Sequence, residues 1–284
     1  MSQEGIRVNK YLSETGFCSR READKLIEQG KVTINGRIPE MGTKVFPGDK
    51  VCVEGKEISQ KEEPRIYLAL NKPRGIECTT NLAVKKNIVD FVNHPERIFP
   101  VGRLDKDSEG LIIMTNDGDI VNKILRARNN HEKEYIVSVD KPITPDFIEG
   151  MRNGVPILNT ITQKCKVEKI SKYTFRIFLT QGLNRQIRRM SEYFGYTVVA
   201  LKRIRIINIT LDIPVGKYRK ITPQEMEELH RLIGDSHKTE EGSLPKPILS
   251  LSKVKRPRIH HHHPGKVLKS YPKNRNTKQG PKKG

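Results

Sequence analysis

Many short β-rich runs follow residue 65, and they restrict the fold of this chain more than any other feature. Three longer segments with helical spacing of apolar residues interrupt these runs, without the regular strand–helix alternation of a doubly wound sheet. The pattern predicts an α+β domain with a mainly antiparallel mixed sheet over residues 66–235. The predicted strands are IYLALNKP, FPVGRL, GLIIMTN, EYIVSVD, KCKVEKI, TFRIFLT and RIINITL, and the predicted helices are ITPDFIEGMRNG, RQIRRMSEYFG and ITPQEMEELHRLIG.

Residues 1–58 form a second unit with a different pattern. Ser19, followed three residues later by Glu22, is a capping box, in which each side chain accepts a hydrogen bond from a backbone N–H of the first helical turn. Apolar residues at helical spacing lie before and after this box, and Asn35-Gly36 favours a hairpin turn after a short strand. The pattern predicts a small α/β domain that precedes the larger one.

Two polar segments flank the larger domain. Residues 59–65 read SQKEEPR and predict a linker. Residues 236–284 are rich in Pro, Lys, Ser and Gly, lack periodicity, and predict a basic tail that is disordered when free. The tail contains His260 to His263, but four histidines in a flexible segment define no cage, so we predict no metal site there.

Charge and composition favour a polyanionic partner. The formal net charge is +20, and residues 243–284 supply twelve lysines and arginines and no acid, so the rest of the chain carries the other +8. Because both portions are basic, RNA or DNA is the leading candidate. No run of about 18 apolar residues predicts a membrane span, and no apolar signal core follows the N-terminus. A cytoplasmic location is therefore expected, with the four scattered cysteines as reduced thiols.

An unusually acidic run, GRLDKDSEGL, occupies residues 102–111 and admits three interpretations. It resembles a calcium loop, but the twelfth position, which needs a bidentate Glu, is Asn116, and the flanks read as strands where the calcium motif needs helices. A pair of carboxylates for glycoside hydrolysis is compatible with the spacing, although a glycosidase has little use for so basic a chain.

The third interpretation makes one of these acids reactive. Asp105 follows an apolar segment and should be partly shielded, whereas Asp107, Ser108 and Glu109 should lie hydrated in a turn. A shielded carboxylate needs a cationic partner to stay ionised. The run GLNRQIRRM can supply one at the start of a helix, because arginine is always charged and binds both carboxylate and phosphate. The arginines in that run are Arg185, Arg188 and Arg189.

The pattern RxxKYLxxxGxxSRREADxxIxxGxVxxNG, which covers nearly all of residues 5–55, resembles the S-four RNA-binding domain. In that family the first two helices hold the RNA backbone. The resemblance therefore implies an RNA-binding role for six residues: Arg7, Lys10, Ser19, Arg20, Arg21 and Lys25.

Four motifs in the larger domain, NKPRG, GRLDKDSEGLIIMTNDG, KEYIV and GLNRQIRRM, occur in an order that resembles the pseudouridine synthases, in the branch typified by the small-subunit ribosomal RNA enzyme. The resemblance implies conversion of uridine to pseudouridine without cofactor or metal. It assigns the catalytic aspartate to Asp105, a tyrosine that stacks on the target base to Tyr135, and the ion-pair partner of the aspartate to Arg188. Three further residues are expected to contact substrate: Arg103, Arg185 and Leu201.

Within that branch, HEKEYIV, KPITPDFIEGMRNGVPIL and the basic tail most resemble enzymes that modify large-subunit (23S) rRNA. We therefore expect a monomer that acts on 23S rRNA or a precursor of the large subunit, with no membrane partner. Three alternatives stay open: another rRNA uridine, a uridine in a tRNA anticodon loop, and a non-catalytic ribosome-associated RNA-binding factor. The motifs also leave open whether Asp105 attacks the sugar or removes the 2′ proton.

Overall fold

The computed structural model describes residues 5–59, 64–125 and 130–234. The first of these ranges folds into two short helices and two small antiparallel sheets, one pairing β1 with β3 and one in the order β2-β4-β5. The elements are β1 (Ile6–Arg7), α1 (Val8–Glu14), α2 (Arg20–Glu28), β2 (Val32–Ile34), β3 (Lys44–Val45), β4 (Val51–Val53) and β5 (Lys56–Glu57).

The predicted capping box starts α2. The N–H of Glu22 donates to the Ser19 hydroxyl at 3.2 Å, and the N–H of Ser19 donates to the Glu22 carboxylate at 2.7 Å. Two backbone donors at the start of the helix, which lack intrahelical partners, are thereby satisfied. The predicted turn after β2 is also present, because Asn35 and Gly36 both have positive φ, at 51° and 79°. A hydrophobic core of residues between 8 and 58 holds this unit together.

The larger domain is built on a nine-stranded sheet with the order β12-β13-β9-β14-β8-β6-β16; β15 pairs with β14 and β7 with β8. Among the described strands, every pairing except that of β14 with β8 is antiparallel. Its strands are β6 (Tyr67–Lys72), β7 (Phe99–Pro100), β8 (Glu109–Thr115), β9 (Lys133–Val139), β12 (Lys166–Lys169), β13 (Thr174–Leu179), β14 (Val198–Ile206), β15 (Ile209–Thr210) and β16 (Tyr218–Lys220). Its helices are α3 (Ile88–Val92), α4 (Gly118–Leu125), α5 (Pro145–Arg152), α6 (Gln186–Tyr193) and α7 (Pro223–Leu232), and a separate hairpin pairs β10 (Pro156–Ile157) with β11 (Thr160–Ile161).

Both faces of the central strands are buried. Leu68 and Leu70 of β6 pack in one core, while Ala69 packs in another with residues of α4 and α7. A third core joins α5 and α6 to the β9, β12, β13 and β14 part of the sheet. Because successive side chains of a strand point to opposite faces, helices cover the sheet on two sides. The predicted α+β class with a mainly antiparallel sheet is confirmed.

The parallel contact between β8 and β14 depends on a glycine. Gly110 has a φ of 116° and lies opposite Arg203. A Cβ atom at Gly110 would lie 2.2 Å from the Arg203 carbonyl oxygen and 2.6 Å from its nitrogen, closer than real side chains come to backbone. Gly110 is therefore needed for the contact between the two strands as well as for its own backbone conformation.

Several elements differ from the sequence predictions. The run FPVGRL forms a strand only at β7, and RIINITL is divided between the end of β14 and β15. The helices α3 and α4 were not predicted, since both are short and lie next to loop segments. The tail and residues 60–63 of the predicted linker fall outside the described residues, so the domain boundaries remain predictions. In the described part of the chain, no helix has the length and apolar character that crossing a bilayer requires.

Candidate active site

The loop before β8 holds Asp105 at the wall of a large cleft. Leu104, the residue before it, is buried and donates its N–H to the Cys78 sulfur at 3.4 Å. The N–H of Ser108 donates to the Asp105 carbonyl at 3.0 Å, so Asp105 occupies the first position of a turn. Its side chain is 29% exposed. The partial shielding expected for Asp105 is therefore present, produced by the loop and not by a strand.

Arg188 is held rigidly against this loop. Its Nη1 donates to the Val198 carbonyl at 3.1 Å, and its Nη2 donates to the Ser108 hydroxyl at 3.2 Å and to the Asp107 carbonyl at 3.4 Å. Its Nε lies 3.6 Å from Asp105 Oδ2. At this distance the two groups form an ion pair without a hydrogen bond, so the carboxylate retains lone pairs for another partner.

Arg185 provides a second cation for the same oxygen. Its Nη1 lies 3.8 Å from Asp105 Oδ2, and its side chain is 42% exposed. Arg185 is the N-cap of α6 and adopts a left-handed conformation with a φ of 50°, while the N–H of Leu183 donates to the Gln186 side chain. This left-handed conformation directs Arg185 into the cleft, where its exposed guanidinium can bind an anionic substrate.

The cleft has a volume of about 1700 Å³ and contains all six residues predicted for catalysis or substrate contact. Tyr135 on β9 is partly buried and touches two of the hydrophobic cores. Leu201 on β14 is buried and contributes an apolar wall, whereas Arg103 in the loop is exposed. Residues that lie far apart in sequence thus share one cavity.

Four of the six residues predicted to bind RNA are exposed basic side chains: Arg7, Arg20, Arg21 and Lys25. Arg21 on α2 also lines the cleft that holds Asp105. Helix α2 therefore contributes one positive charge to the same cavity.

The other two residues predicted to bind RNA, Lys10 and Ser19, already have partners within the protein. Lys10 lies 2.8 Å from Asp119 and 3.2 Å from Glu14. Burial acts to lower the pKa of Lys10, but the hydrogen bonds and charges of these two acids outweigh it and raise the pKa. The Ser19 hydroxyl accepts the capping hydrogen bond. A phosphate would have to compete with these partners.

The acidic run contains two residues that were interpreted wrongly. Ser108 was expected to be hydrated, but it is only 1% exposed and accepts a hydrogen bond from Arg188. Glu109 was expected in the same hydrated turn, but it begins β8, is partly buried and pairs with Lys202 at 3.0 Å. Asp107 is exposed, as expected. The partner of Ser108 lies 80 residues away, and local sequence carries no signal for such a contact.

Two buried cations in the cleft were not predicted at all. Lys133 and Arg203 are 8% and 3% exposed, and both line the cavity. Strand alternation could have predicted the position of Lys133. It precedes Tyr135 by two residues in KEY, so both side chains lie on the same face of β9.

The described residues of the cleft do not form a metal site. Within residues 5–59, 64–125 and 130–234, no three His, Cys, Asp or Glu side chains come close enough to hold an ion. The site is instead built from one carboxylate, an aromatic ring and several cations, an arrangement suited to acid–base or nucleophilic work on an anionic polymer.

Two family models match the chain, one in each of the two domains. The RNA pseudouridylate synthase model matches residues 66–193, and the S4 domain model matches residues 6–54. The first match includes Asp105, Tyr135 and Arg188, and the second includes α1 and α2.

Individual relatives support this assignment. The dual-specificity RNA pseudouridine synthase RluF of Escherichia coli K12 is 53% identical over 89% of this chain and 91% of its own length. The ribosomal large subunit pseudouridine synthase B of Bacillus subtilis is 37% identical over 80% of this chain and 96% of its own. A crystal structure of a pseudouridylate synthase superposes with a TM-score of 0.59 at 29% identity, covering 79% of this chain and 99% of that one. The chain therefore belongs to the pseudouridine synthases, the enzymes that isomerise uridine in RNA to pseudouridine, and carries an N-terminal S4 domain.

Proposed function

We propose that this enzyme isomerises a uridine of 23S rRNA and that Asp105 is the reactive carboxylate. The observation that carries the proposal is the pairing of Asp105 with Arg188 and Arg185 in the wall of one cleft. The name of the Bacillus subtilis relative, a large-subunit synthase, supports the choice of RNA.

The reaction rearranges bonds without net gain or loss of atoms. The bond between ribose C1′ and uracil N1 breaks, the uracil turns, C5 bonds to C1′, and the proton lost from C5 is balanced by one gained at N1. Asp105 acts on the ribose, either by attacking C1′ or by removing the 2′ proton. Arg188 supports either role, because a fixed cation whose Nε lies 3.6 Å from Asp105 Oδ2 stabilises negative charge on that carboxylate.

The target base must leave its stack to enter the cleft. Flipping costs a few kcal/mol, least where the base is already unpaired. Tyr135 offers an aromatic face on which the flipped uracil stacks, and Leu201 closes the pocket. Arg103, Arg185 and Arg21 are placed to bind the flanking phosphates, so affinity should fall steeply as salt concentration rises.

The wider setting is part of the same proposal. The separate hydrophobic core of residues 8–58 supports an S4 domain over 1–58, a linker over 59–65, and a catalytic domain over 66–235. We infer a cytoplasmic monomer that acts on rRNA or on a precursor of the large subunit, with the tail over 236–284 as an additional basic segment.

A second RNA substrate is the alternative with specific support. The Escherichia coli relative is named a dual-specificity enzyme. A uridine in a tRNA anticodon loop fits the same chemistry, because its bases are unpaired and cost little to flip.

Modification mapping tests these proposals. Unmodified 23S rRNA and total tRNA are incubated with wild-type enzyme, Asp105→Ala and Asp107→Asn, and pseudouridine is mapped by carbodiimide treatment and primer extension. We expect the wild type to modify one 23S site and Asp105→Ala to modify none. Asp107→Asn is the control and should modify the same site as the wild type, because the Asp107 carboxylate that it replaces is exposed. Modification by Asp105→Ala would refute the assignment of the carboxylate, and modification of tRNA alone would refute the 23S substrate.

A further inference from the structure

Two buried cations form one wall of the cleft beside Tyr135. Lys133 lies two residues before Tyr135 on β9, and Arg203 of β14 is the direct cross-strand partner of Tyr135. Alternation puts Lys133 and Tyr135 on the same face of the sheet. Lys133 and Arg203 are almost completely buried, and both line the cavity. We call this pair the cationic wall.

Among the described residues, no acid forms an ion pair with either cation of the cationic wall. Lys133 Nζ donates to the His131 carbonyl at 3.0 Å, and Arg203 Nε donates to the Leu111 carbonyl at 2.7 Å. In the parts of the chain that the structure describes, Arg203 Nη2 is buried and has no hydrogen-bond partner. By contrast, Arg205, two residues further along β14, pairs with the carboxylate of Glu134 at 2.9 Å.

Such an arrangement is unfavourable for the folded protein alone. Burial, together with the charge of Arg203, lowers the pKa of Lys133 to about 8. A buried donor without an acceptor also forfeits its hydrogen bonds to water. Two like charges and an unused donor in one cavity wall indicate a place for an acceptor that the substrate brings.

The isomerisation produces such an acceptor. When the bond from C1′ to N1 breaks, both of its electrons remain on the uracil, and the negative charge spreads to the carbonyl oxygens O2 and O4. Charged donors fixed where this charge develops bind the departing base more strongly than they bind uridine. Arg185 and Arg103 are exposed and so differ from the cationic wall, because they are accessible to RNA phosphates in solvent.

We propose that Lys133 Nζ and Arg203 Nη2 bind the carbonyl oxygens of the flipped uracil and stabilise its negative charge while the glycosidic bond is broken. The proposal rests on the proposed function, because it requires that a uridine reacts in this cleft. When C5 attacks C1′, the charge leaves the oxygens, and the cationic wall returns to its starting state with no proton consumed.

The first test separates contact with the base from contact with the backbone. The RNA is whichever transcript the wild type modifies, made with uridine or with an abasic ribose at the target position. We expect Lys133→Met to lower the single-turnover rate on the order of 100-fold and to leave the Kd for abasic RNA within about twofold. Lys169→Met is the matched control, because Lys169 also donates to a backbone carbonyl, that of Ile143 at 2.7 Å, and does not line the cleft.

A wild-type rate in Lys133→Met would overturn the proposal, and so would an equal loss of affinity for uridine and abasic RNA, since that identifies a phosphate contact. Arg203→Lys, checked by its Tm, tests the second donor and should also slow the reaction. A wild type that modifies no RNA would refute the proposed function as well, whereas an active wild type with equally active variants refutes this inference alone.

The second test uses pH. The groups facing Lys133 are Arg203 from β14 and His131 from its own segment, while Leu179, opposite it on β13, is uncharged. The wild-type kcat/KM should fall above about pH 8 as Lys133 loses its proton. Lys133→Arg keeps its charge and should keep activity to higher pH. An alkaline limb identical in both enzymes would contradict a charged role for Lys133.

Discussion

Replacing Gly110 with alanine should destabilise the catalytic domain strongly. The new Cβ would lie 2.2 Å from the Arg203 carbonyl oxygen, so β8 and β14 must separate by roughly an ångström to restore normal contact. Such overpacking costs about 1–3 kcal/mol. The φ of 116° adds about 1–3 kcal/mol for a residue with a side chain. The expected loss of unfolding free energy is therefore about 2–6 kcal/mol, a large share of the stability of an ordinary domain.

Gly75→Ala provides the matched control. Gly75 also has a positive φ, 88°, but a Cβ there meets no atom within 4 Å. It should show the backbone cost alone, about 1–3 kcal/mol. Urea unfolding followed by circular dichroism measures both variants, which suits a chain without tryptophan. Equal losses for the two variants would refute the steric part of the reasoning, and no loss in either would refute it entirely.

Three further outcomes follow from the charges described above. Lys133→Met should be more stable than the wild type by about 1 kcal/mol at pH 7, because a pKa lowered from 10.5 to about 8 costs the wild type about 3 kcal/mol, against roughly 2 kcal/mol for the hydrogen bond that the variant loses. In urea titrations this gain should turn into a loss of about 2 kcal/mol as pH rises from 8 to 10.5, because the buried charge of the wild type is then removed. Hydrogen bonds from Arg219 lower the pKa of Glu225 to about 2, so the stability that they give is present above pH 4.5 and is lost as pH falls toward 2. Glu225→Gln should therefore lower the free energy of unfolding by up to about 3 kcal/mol at pH 7 and by little near pH 2. An equal loss at both pH values would contradict the ion pair. In filter-binding assays across salt concentrations, Arg21→Met should reduce the slope of log Kd against log salt by about 1, and Lys10→Met should change it little, because acids already neutralise Lys10.

The sequence predicted those elements that are stabilised by contacts between residues close together in the chain. Ser19 and Glu22 satisfy each other within one turn, so the sequence alone located the start of α2. In β13, alternate burial matches the alternation of TFRIFL. The residues around the acidic run indicated that Asp105 needs a cationic partner, and the family resemblance implied Arg188 as that partner among the three arginines of GLNRQIRRM.

Contacts across long stretches of chain could not be predicted in the same way. Nothing near Ser108 indicates that it is buried under Arg188. Lys72, which any hydropathy pattern would expose, is fully buried, with its Nζ donating to the carbonyls of Pro73 and Ile76. The position of Arg203 beside Tyr135 depends on the register between β14 and β9, which pairing across the whole sheet determines.

The parallel contact of β8 with β14 has a consequence for the order of folding. Glu109 pairs with Lys202, 93 residues later in the chain (202 − 109). The side of the cleft that contains Asp105 is complete only when this strand pair has formed. Contacts of such long sequence separation carry the largest loop-closure entropy and tend to form last. During synthesis the S4 domain emerges first and can fold while the cleft is still incomplete. A nascent chain could thus bind RNA before it is able to modify it.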